Sequence, residues 1–456
     1  MSRETREGRE GREGSLEAPT RHPLDWRNPA FYDEEALEKE LERVFEICHG
    51  CRRCFSLCQA FPTLFDAIDA TPSGELKEVD RKAHWEVVDH CYLCDMCFMT
   101  KCPYVPPHPW NVDFPHLMLR AKAARTRREG LSVRDRVLTS TEAVGNLAGI
   151  PVVAEVVNAV NRSAPGRAVL ARTLRVARDA PLPAYRSRTA RKRLQRLLRE
   201  DEPAVPSVQA APSIRDRAAI FTTCYGNRNE PQMVEDLAVV FRHNGIQVRL
   251  VPQERCCGMP RLELGDLEGV DRLKRQNIPA LKHLVDEGWD LVAAIPSCVL
   301  MFKQELPLMY REDADVQAVR ASFFDPFEYL MLRHRAGLLR TDFTTSLGKV
   351  SYHVPCHLRV QNIGLKTRDV LKLIPDTTVE VIERCSGHDG TYGVKQEFRA
   401  ASVKIGRPVA ERMQRAKADH YSSDCPMAGH QIESLLPAPR REPEHPLTLL
   451  RKAYGI

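Results

Sequence analysis

The sequence predicts a chain of mixed class, α+β in its N-terminal part and α/β in its C-terminal half. Two observations predict this class: helical patterns flank two cysteine runs near the N-terminus, and a unit of alternating strands and helices occurs twice after residue 212. Alternating strands and helices favour an open parallel sheet in each copy. With 456 residues, 43% of them hydrophobic, the chain exceeds what one core usually holds.

Composition divides the chain into five segments. They are a disordered tail at 1–25, a cysteine-bearing domain at 26–130, a connector with its linker at 131–212, and the two copies at 213–340 and 341–456. The tail contains a low-complexity repeat of Arg, Glu and Gly that has nothing to bury. The first residues are charged, so we expect no secretory leader, and no window is apolar enough for a spanning helix.

In the N-terminal half, each element follows from a local pattern. Helical periodicity runs from Asp33 to Glu46, before the first cysteine run, and from Phe114 to Arg128, after the second. Four prolines between positions 103 and 109 predict an extended segment between them. The small aliphatic stretch Val137–Val160 contains two glycines and Pro151, which predict two short helices rather than one long helix.

The C-terminal half repeats the order strand, cysteine, helix. Strands are predicted at 218–223, 246–251 and 291–295 in the first copy and at 350–355, 379–382 and 420–424 in the second. Helices are predicted at 234–243, in a long stretch that ends at residue 286, and at 395–416. The cysteines that follow the strands are Cys224, Cys256 with Cys257, and Cys298, and then Cys356, Cys385 and Cys425. They should therefore lie at the carboxyl ends of parallel strands, where open α/β sheets build their sites.

The two N-terminal runs have the spacing of a ferredoxin that carries two clusters. The first run contains Cys48, Cys51, Cys54 and Cys58, and the second contains Cys91, Cys94, Cys97 and Cys102. Three cysteines with two residues between neighbours supply three corners of a cubane 4Fe–4S cluster, and a distant cysteine supplies the fourth. In two-cluster ferredoxins the fourth cysteine of each run binds the other cluster. We therefore assign Cys48, Cys51, Cys54 and Cys102 to cluster 1, and Cys91, Cys94, Cys97 and Cys58 to cluster 2.

Two other uses of these cysteines fit less well. Zinc sites use two Cys-x2-Cys pairs, or cysteines mixed with histidines, and leave no spare thiols. Fifteen cysteines in a chain without a leader indicate a reducing compartment and metal ligation rather than disulfides.

Charge is concentrated in the connector. The chain has a formal net charge of +6, but residues 120–200 alone contain 19 Lys and Arg against 6 Asp and Glu. One interpretation is a pair of amphipathic helices packed on the body with solvated arginines. The other is a surface that lies on an anionic membrane or docks an acidic partner. Nucleic-acid binding is disfavoured, because the region lacks interleaved aromatic residues and a reader motif.

The C-terminal half resembles the cysteine-rich CCG repeat of heterodisulfide reductases and related iron–sulfur oxidoreductases. The repeat pattern there is one cysteine, then Cys-Cys-Gly, then Cys-x2-Cys. The whole layout is similar to that of the C subunits of anaerobic glycerol-3-phosphate dehydrogenases, as is the segment 385–393, Cys-Ser-Gly-His-Asp-Gly-Thr-Tyr-Gly. The resemblance covers about residues 40–435. It implies two Rossmann-like α/β CCG repeats after a ferredoxin-like domain.

Neither copy keeps all five cysteines of the pattern. Met301 replaces the last cysteine in the first copy, whereas Arg384 and Ala428 replace two in the second. The four that remain in the first copy suffice for a third, ordinary 4Fe–4S cluster. The three in the second copy would need another ligand, for which His388 or His357 is the nearest candidate; a hydrogen-bonded loop histidine is the alternative.

These features predict an iron–sulfur electron-transfer subunit. The resemblance implies a flavoprotein dehydrogenase as partner and membrane quinone as acceptor, or a rubrerythrin-like di-iron protein as partner. It also implies a cytoplasmic location, peripheral on the inner face of the membrane. The alternative is an enzyme that reduces a disulfide or persulfide at a CCG-domain cluster, and the missing cysteines count against it. A redox sensor would need an output module, which the sequence lacks, and no G-x-G-x-x-G follows a strand to suggest a dinucleotide site.

Overall fold

The computed structural model describes residues 19–141, 145, 150–198 and 214–456. The low-complexity repeat, the middle of Val137–Val160 and the predicted linker at 201–212 lie outside these residues. The chain divides into two compact units. The N-terminal unit contains residues up to Leu131 with the short segments 261–267 and 308–310, and the second unit contains the rest.

The N-terminal unit is helical. Its α-helices are α1 (Glu34–Cys51), α2 (Ala60–Asp69), α3 (Arg81–His90), α4 (Met96–Thr100) and α5 (Phe114–Glu129), with 3₁₀ turns at Pro29–Tyr32 and Leu76–Glu78. Asp33 caps α1 by accepting a hydrogen bond from the Ala36 N–H at 2.7 Å. The predicted helix at this position extends five residues further, to Cys51, so α1 carries the first two cysteines.

Aromatic side chains form the core beneath the first cysteine run. The Phe114 ring lies 4.8 Å from that of Phe61 and 6.1 Å from that of Phe45, measured between centroids. All three side chains are buried. Their burial stabilises α1, α2 and α5 against one another, and so fixes the helix that carries Cys48 and Cys51.

Four helices of the connector lie wholly within the described residues of the second unit. They are α6 (Val133–Thr139), α7 (Pro151–Arg162), α8 (Ala164–Thr173) and α9 (Ala190–Leu197). Ser140 and Ile150 are not helical, so Val137–Val160 does not form one continuous helix. Backbone hydrogen bonds join the connector to the second copy: the Ala177 N–H donates to the Val394 carbonyl at 2.8 Å and the Gln396 N–H to Arg175 at 2.9 Å.

Two parallel sheets form the body of the second unit. The first contains β1 (Arg217–Ile220), β2 (Gln247–Leu250), β3 (Asp290–Val292) and β4 (Phe323–Phe324) in the order β2-β1-β3-β4. The second contains β5 (Gly348–His353), β6 (Thr377–Ile382) and β7 (His420–Ser423) in the order β6-β5-β7. All pairings are parallel. Of the seven strands in the described residues, six were predicted, and β4, of two residues, was not.

Helices follow the strands as the alternation predicts. In the first copy they are α10 (Cys224–Arg228), α11 (Pro231–His243), α12 (Met259–Leu262), α13 (Leu267–Asp286), α14 (Pro296–Leu300), a π-helical turn (Met301–Glu305), α15 (Leu306–Met309), α16 (Ala314–Ala321) and α17 (Pro326–Arg335). In the second they are α18 (Cys356–Arg359), α19 (Lys366–Leu371), a 3₁₀ turn (Tyr392–Val394), α20 (Gln396–Ala416), α21 (Pro426–Leu435) and α22 (Pro446–Tyr454). No described helix has both the length and the apolarity needed to span a membrane.

Candidate functional site

Four thiols of the N-terminal unit line one small cavity. Cys48, Cys51, Cys54 and Cys102 surround a space of about 20 Å³, whose other walls are largely apolar. The structure brings Cys102 to this group from the second cysteine run. Burial, and then the neighbouring Cys102 and Cys51 thiols, raise the pKa of Cys54 to about 12. Burial chiefly raises the pKa of Cys102 to about 11. Ionised thiolates are costly here, and a bound cation would offset that cost.

A second group contains Cys58, Cys91, Cys94 and Cys97. Burial raises the pKa of Cys58, and the nearby Cys91 thiol raises it further. Burial also raises the pKa of Cys97, with added repulsion from thiols of both groups, Cys54 first. Cys58 is therefore close to Cys91 of the second run, and Cys54 of its own run also raises its pKa, by less. Cys54 is close enough to interact with both groups, which places the two thiol sets side by side.

Buried charges hold the loop of the second run. Arg21 donates to the Asp95 carboxylate at 2.5 and 3.0 Å and to the Asp113 carboxylate at 2.9 and 3.1 Å. Asp95 lies between Cys94 and Met96 and has left-handed backbone, with φ of 60°. The buried Lys122 ammonium donates to the carbonyl oxygen of Cys91. Two cationic side chains thus contact the backbone or side chains of this cysteine loop.

The first copy places four thiols in one group, of which Cys256, Cys257 and Cys298 are buried and Cys224 is half-buried. Cys224 follows β1, Cys256 and Cys257 follow β2, and Cys298 follows β3. Hydrogen bonds join Cys224 to Cys256, Cys256 to Cys257 and Cys257 to Cys298. As acceptor of two of these bonds, Cys256 has a pKa well below its usual range. The group therefore favours a thiolate at Cys256, the form that binds metals.

The turn that carries the two adjacent cysteines is shaped by Gly258 and Asn277. Gly258 has a φ of 105°, which a residue with a side chain adopts only with strain. The Asn277 side chain accepts from the Arg255 N–H at 2.8 Å and donates to the Cys256 carbonyl at 3.0 Å. A Cβ at Gly258 would lie 3.5 Å from the Met301 methyl group. The residue that replaces the fifth cysteine is therefore beside the Cys-Cys-Gly turn and fully buried.

The second copy gathers its thiols around a carboxyl group that the sequence analysis missed. Asp389 Oδ1 lies 3.6 Å from the Cys356 sulfur, and Asp389 Oδ2 lies 3.4 Å from the Cys385 sulfur. Burial raises the pKa of Asp389 to about 7. It also raises the pKa of Cys425 to about 12, with a smaller contribution from Asp389. Asp389 belongs to the quoted segment 385–393, so its position next to a histidine and between glycines was the available signal.

The two histidines considered as ligands differ in their contacts. His357 Nδ1 is 2.8 Å from the Ser297 hydroxyl of the first copy. His388 has both ring nitrogens buried, and within the described part of the chain neither has a hydrogen-bond partner. Burial lowers the pKa of His388 to about 4, so its imidazole is neutral at pH 7.

In the described residues, no group of three or more His, Cys, Asp and Glu side chains is arranged to hold a single metal ion.

Comparison with known proteins relates the C-terminal half to a described domain family. The cysteine-rich domain family CCG matches residues 218–303 and 350–433, which contain β2, β3, β6 and β7 and most of β1 and β5. The C subunit of the anaerobic glycerol-3-phosphate dehydrogenase of Escherichia coli (strain K12) is 28% identical over 90% of this chain and 99% of its own length. The B subunit of the fumarate reductase (CoM/CoB) of Methanothermobacter marburgensis is 26% identical over 48% of this chain and 42% of its own. An iron–sulfur protein of Methanocaldococcus jannaschii is 27% identical over 50% of this chain and 43% of its own.

Proposed function

We propose that this chain, a CCG-domain protein homologous to the C subunit of anaerobic glycerol-3-phosphate dehydrogenase, is an iron–sulfur electron-transfer subunit. It passes electrons between a partner oxidoreductase and a quinone or a redox partner protein. The observation that carries this proposal is the pair of four-thiol groups in the N-terminal unit. Each group combines three closely spaced cysteines with a fourth from the other run, the ligand set of two cubane clusters.

The donor chemistry fits these clusters. Cluster 1 would be held by Cys48, Cys51, Cys54 and Cys102, and cluster 2 by Cys91, Cys94, Cys97 and Cys58. A 4Fe–4S cluster bound at such thiolates supplies one-electron transfer. Apolar side chains, among them Phe61 and Val112, line the first group. Near the second group, the Lys122 ammonium on the Cys91 carbonyl adds positive charge, which favours added electrons.

The first CCG copy is the proposed third centre, with Cys224, Cys256, Cys257 and Cys298 as ligands. In the second copy Cys356, Cys385 and Cys425 are candidates, and the Asp389 carboxylate is the nearest fourth donor. We favour a relay over a disulfide reductase because Met301, Arg384 and Ala428 carry no thiolate. Of these, Met301 and Ala428 are buried.

The connector fits a docking role only in part. Arg134 pairs with Glu397 at 2.7 Å, and Arg193 with Glu235 at 3.3 Å, so some of its charge is used within the second unit. Arg162 and Arg172 are exposed on α7 and α8. Exposed cations of this kind speed the encounter with an anionic partner or lipid surface. The homology suggests a flavoprotein dehydrogenase as that partner.

Anaerobic purification with iron, zinc and sulfide analysis tests the proposal. We expect about eight irons from the N-terminal unit and about four from the first copy, by the four-thiolate rule. The reduced protein should be reoxidised by a quinone, yet should show no turnover with small disulfides. Iron near four per chain, zinc at stoichiometry, or robust disulfide reduction by the pure protein would contradict it.

A further inference from the structure

A cavity of about 360 Å³ lies within the second unit, where the connector meets both CCG copies. Its lining is mainly apolar and includes Leu138, Val157 and Leu174 of the connector. Cys224 of the first copy and His388 of the second also line it. The volume falls in the range of small-molecule sites, and the lining suits a ligand with a large apolar surface.

Directional hydrogen bonds fix the connector wall of this cavity. The Asn158 side chain of α7 accepts from the Tyr185 N–H and donates to the Tyr185 carbonyl, both at 2.8 Å. The Asn229 side chain donates to the Ala184 carbonyl at 2.9 Å. These bonds hold the segment that carries Tyr185 against α7 and against the first copy. The cavity is therefore bounded by a formed wall rather than by loosely packed side chains.

His388 offers this cavity an unused hydrogen-bonding group. Both of its ring nitrogens are buried, and neither has a hydrogen-bond partner in the described residues. His430, which also lines the cavity, differs: its nitrogens contact Glu230 at 2.9 Å and Glu433 at 3.2 Å. A buried imidazole without a partner carries a free-energy cost that a ligand oxygen would relieve.

We infer that the cavity binds a lipophilic quinone, with the His388 imidazole as hydrogen-bond donor to one quinone oxygen. The inference rests on the proposed function, since it names the site of the quinone within it. A quinone combines an apolar ring with carbonyl acceptors, which matches an apolar cavity with one open donor. The reaction requires two electrons, supplied singly by reduced iron–sulfur centres that the partner dehydrogenase feeds, and two protons from water. Both C=O groups become C–OH, and quinol leaves.

Cys224 gives the cavity its link to the redox chemistry. Its side chain is both a proposed ligand of the third centre and part of the cavity wall. A quinone in the cavity would thus lie against the ligand shell of that centre, within reach of electron transfer.

Quinone binding by the full-length, anaerobically loaded protein in its oxidised state tests the inference. Equilibrium dialysis with menadione, a naphthoquinone, measures the affinity. Val157→Phe fills the cavity from α7, whereas Val156→Phe makes the same change on the neighbouring side chain, which is 56% exposed. We expect Val157→Phe to weaken menadione binding about tenfold or more, because the introduced phenyl ring displaces part of the quinone ring from the cavity, and losing a contact of that area weakens binding by about tenfold. Val156→Phe should leave the affinity within about twofold of the unaltered protein.

A second pair of variants tests the histidine. His388→Leu should weaken menadione binding about fivefold to tenfold, the usual effect of one lost hydrogen bond, and His388→Gln should recover most of the loss. In the unaltered protein, a photoreactive azidonaphthoquinone should label peptides that contain Val157, Tyr185 or Met427. This labelling keeps the test decisive if a variant does not fold.

The outcomes separate the inference from the proposed function. Absence of saturable binding, equal affinities for Val157→Phe and Val156→Phe, or labelling confined to other peptides would overturn the quinone site. If the iron centres are nevertheless reduced by dithionite and reoxidised by ferricyanide, the electron-transfer function stands and only the site is wrong. If the protein holds no iron, the proposed function fails, and dialysis still reports on the cavity.

Discussion

Replacement of Arg21 by methionine should destabilise the N-terminal unit by about 3–5 kcal/mol, the usual effect of removing one partner from a buried ion pair. Arg21 is the shared partner of the buried Asp95 carboxylate and of Asp113. Burial alone would raise the pKa of Asp113, but Arg21 and His116 lower it to about 2 from 3.8. At about 1.4 kcal/mol per pKa unit, this difference stabilises the folded state by about 2 kcal/mol at pH 7. The hydrogen bonds lost by Asp95 account for the remainder.

Denaturant titration at pH 7 under anaerobic conditions measures this loss. Trp26, Trp85 and Trp110 all belong to the N-terminal unit, so tryptophan fluorescence reports mainly on it. Arg128→Met is the matched control: Arg128 pairs with Glu34 and Glu129 at 2.5 Å but is 49% exposed. An exposed pair contributes little to stability. Equal losses of stability in the two variants would refute this role of Arg21.

Three further predictions concern the second unit. Burial and the charges of Asp424 and Glu328 raise the pKa of Asp325 to about 8, so this group stabilises the fold at low pH and loses that contribution as pH rises through about 8. Asp325→Asn, which still caps α17, should therefore make the unfolding free energy less dependent on pH between pH 5 and 8. An unchanged pH dependence would count against this prediction. Gly387→Ala should lower stability in thermal unfolding more than Gly364→Ala. Both glycines have positive φ, but only a Cβ at Gly387 would clash with a backbone oxygen, that of Ser402, at 2.2 Å. Equal losses of stability would contradict this clash. Reoxidation of the reduced chain by anionic vesicles that carry quinone should slow as salt rises from about 0.01 to 0.15 M, because the Debye length falls from about 30 to about 8 Å over this range. A rate that does not depend on salt concentration would argue against docking through the connector.

The sequence predicted those features that local patterns determine. Period-two and period-3.6 patterns located six strands and the main helices, and the recurring order placed each C-terminal cysteine after a strand. The strand β4 was not predicted, because two residues are too few to show a periodic pattern. The helix predicted from Asp33 to Glu46 instead runs from Glu34 to Cys51, so its last turns contain Cys48 and Cys51.

Long-range polar contacts could not be predicted. Arg21 lies in the stretch assigned to the tail, yet it is bound to carboxylates 74 and 92 positions away. Asp389 is four residues from Cys385, but its contact with Cys356 spans 33 positions and depends on how β5 and β6 pair. Such contacts arise only from tertiary packing, which no local pattern encodes.

The central claim is that each of the two cubane clusters takes its fourth cysteine ligand from the other cysteine run. Iron content of single and double cysteine-to-alanine variants, purified anaerobically, tests it most directly. Cys48→Ala and Cys102→Ala should each remove about four irons, and the double variant should remove no more, because both residues serve one cluster. Combining Cys48→Ala with Cys58→Ala should remove about eight. If the first pair removes about eight irons and the second about four, each run holds its own cluster and the claim is wrong.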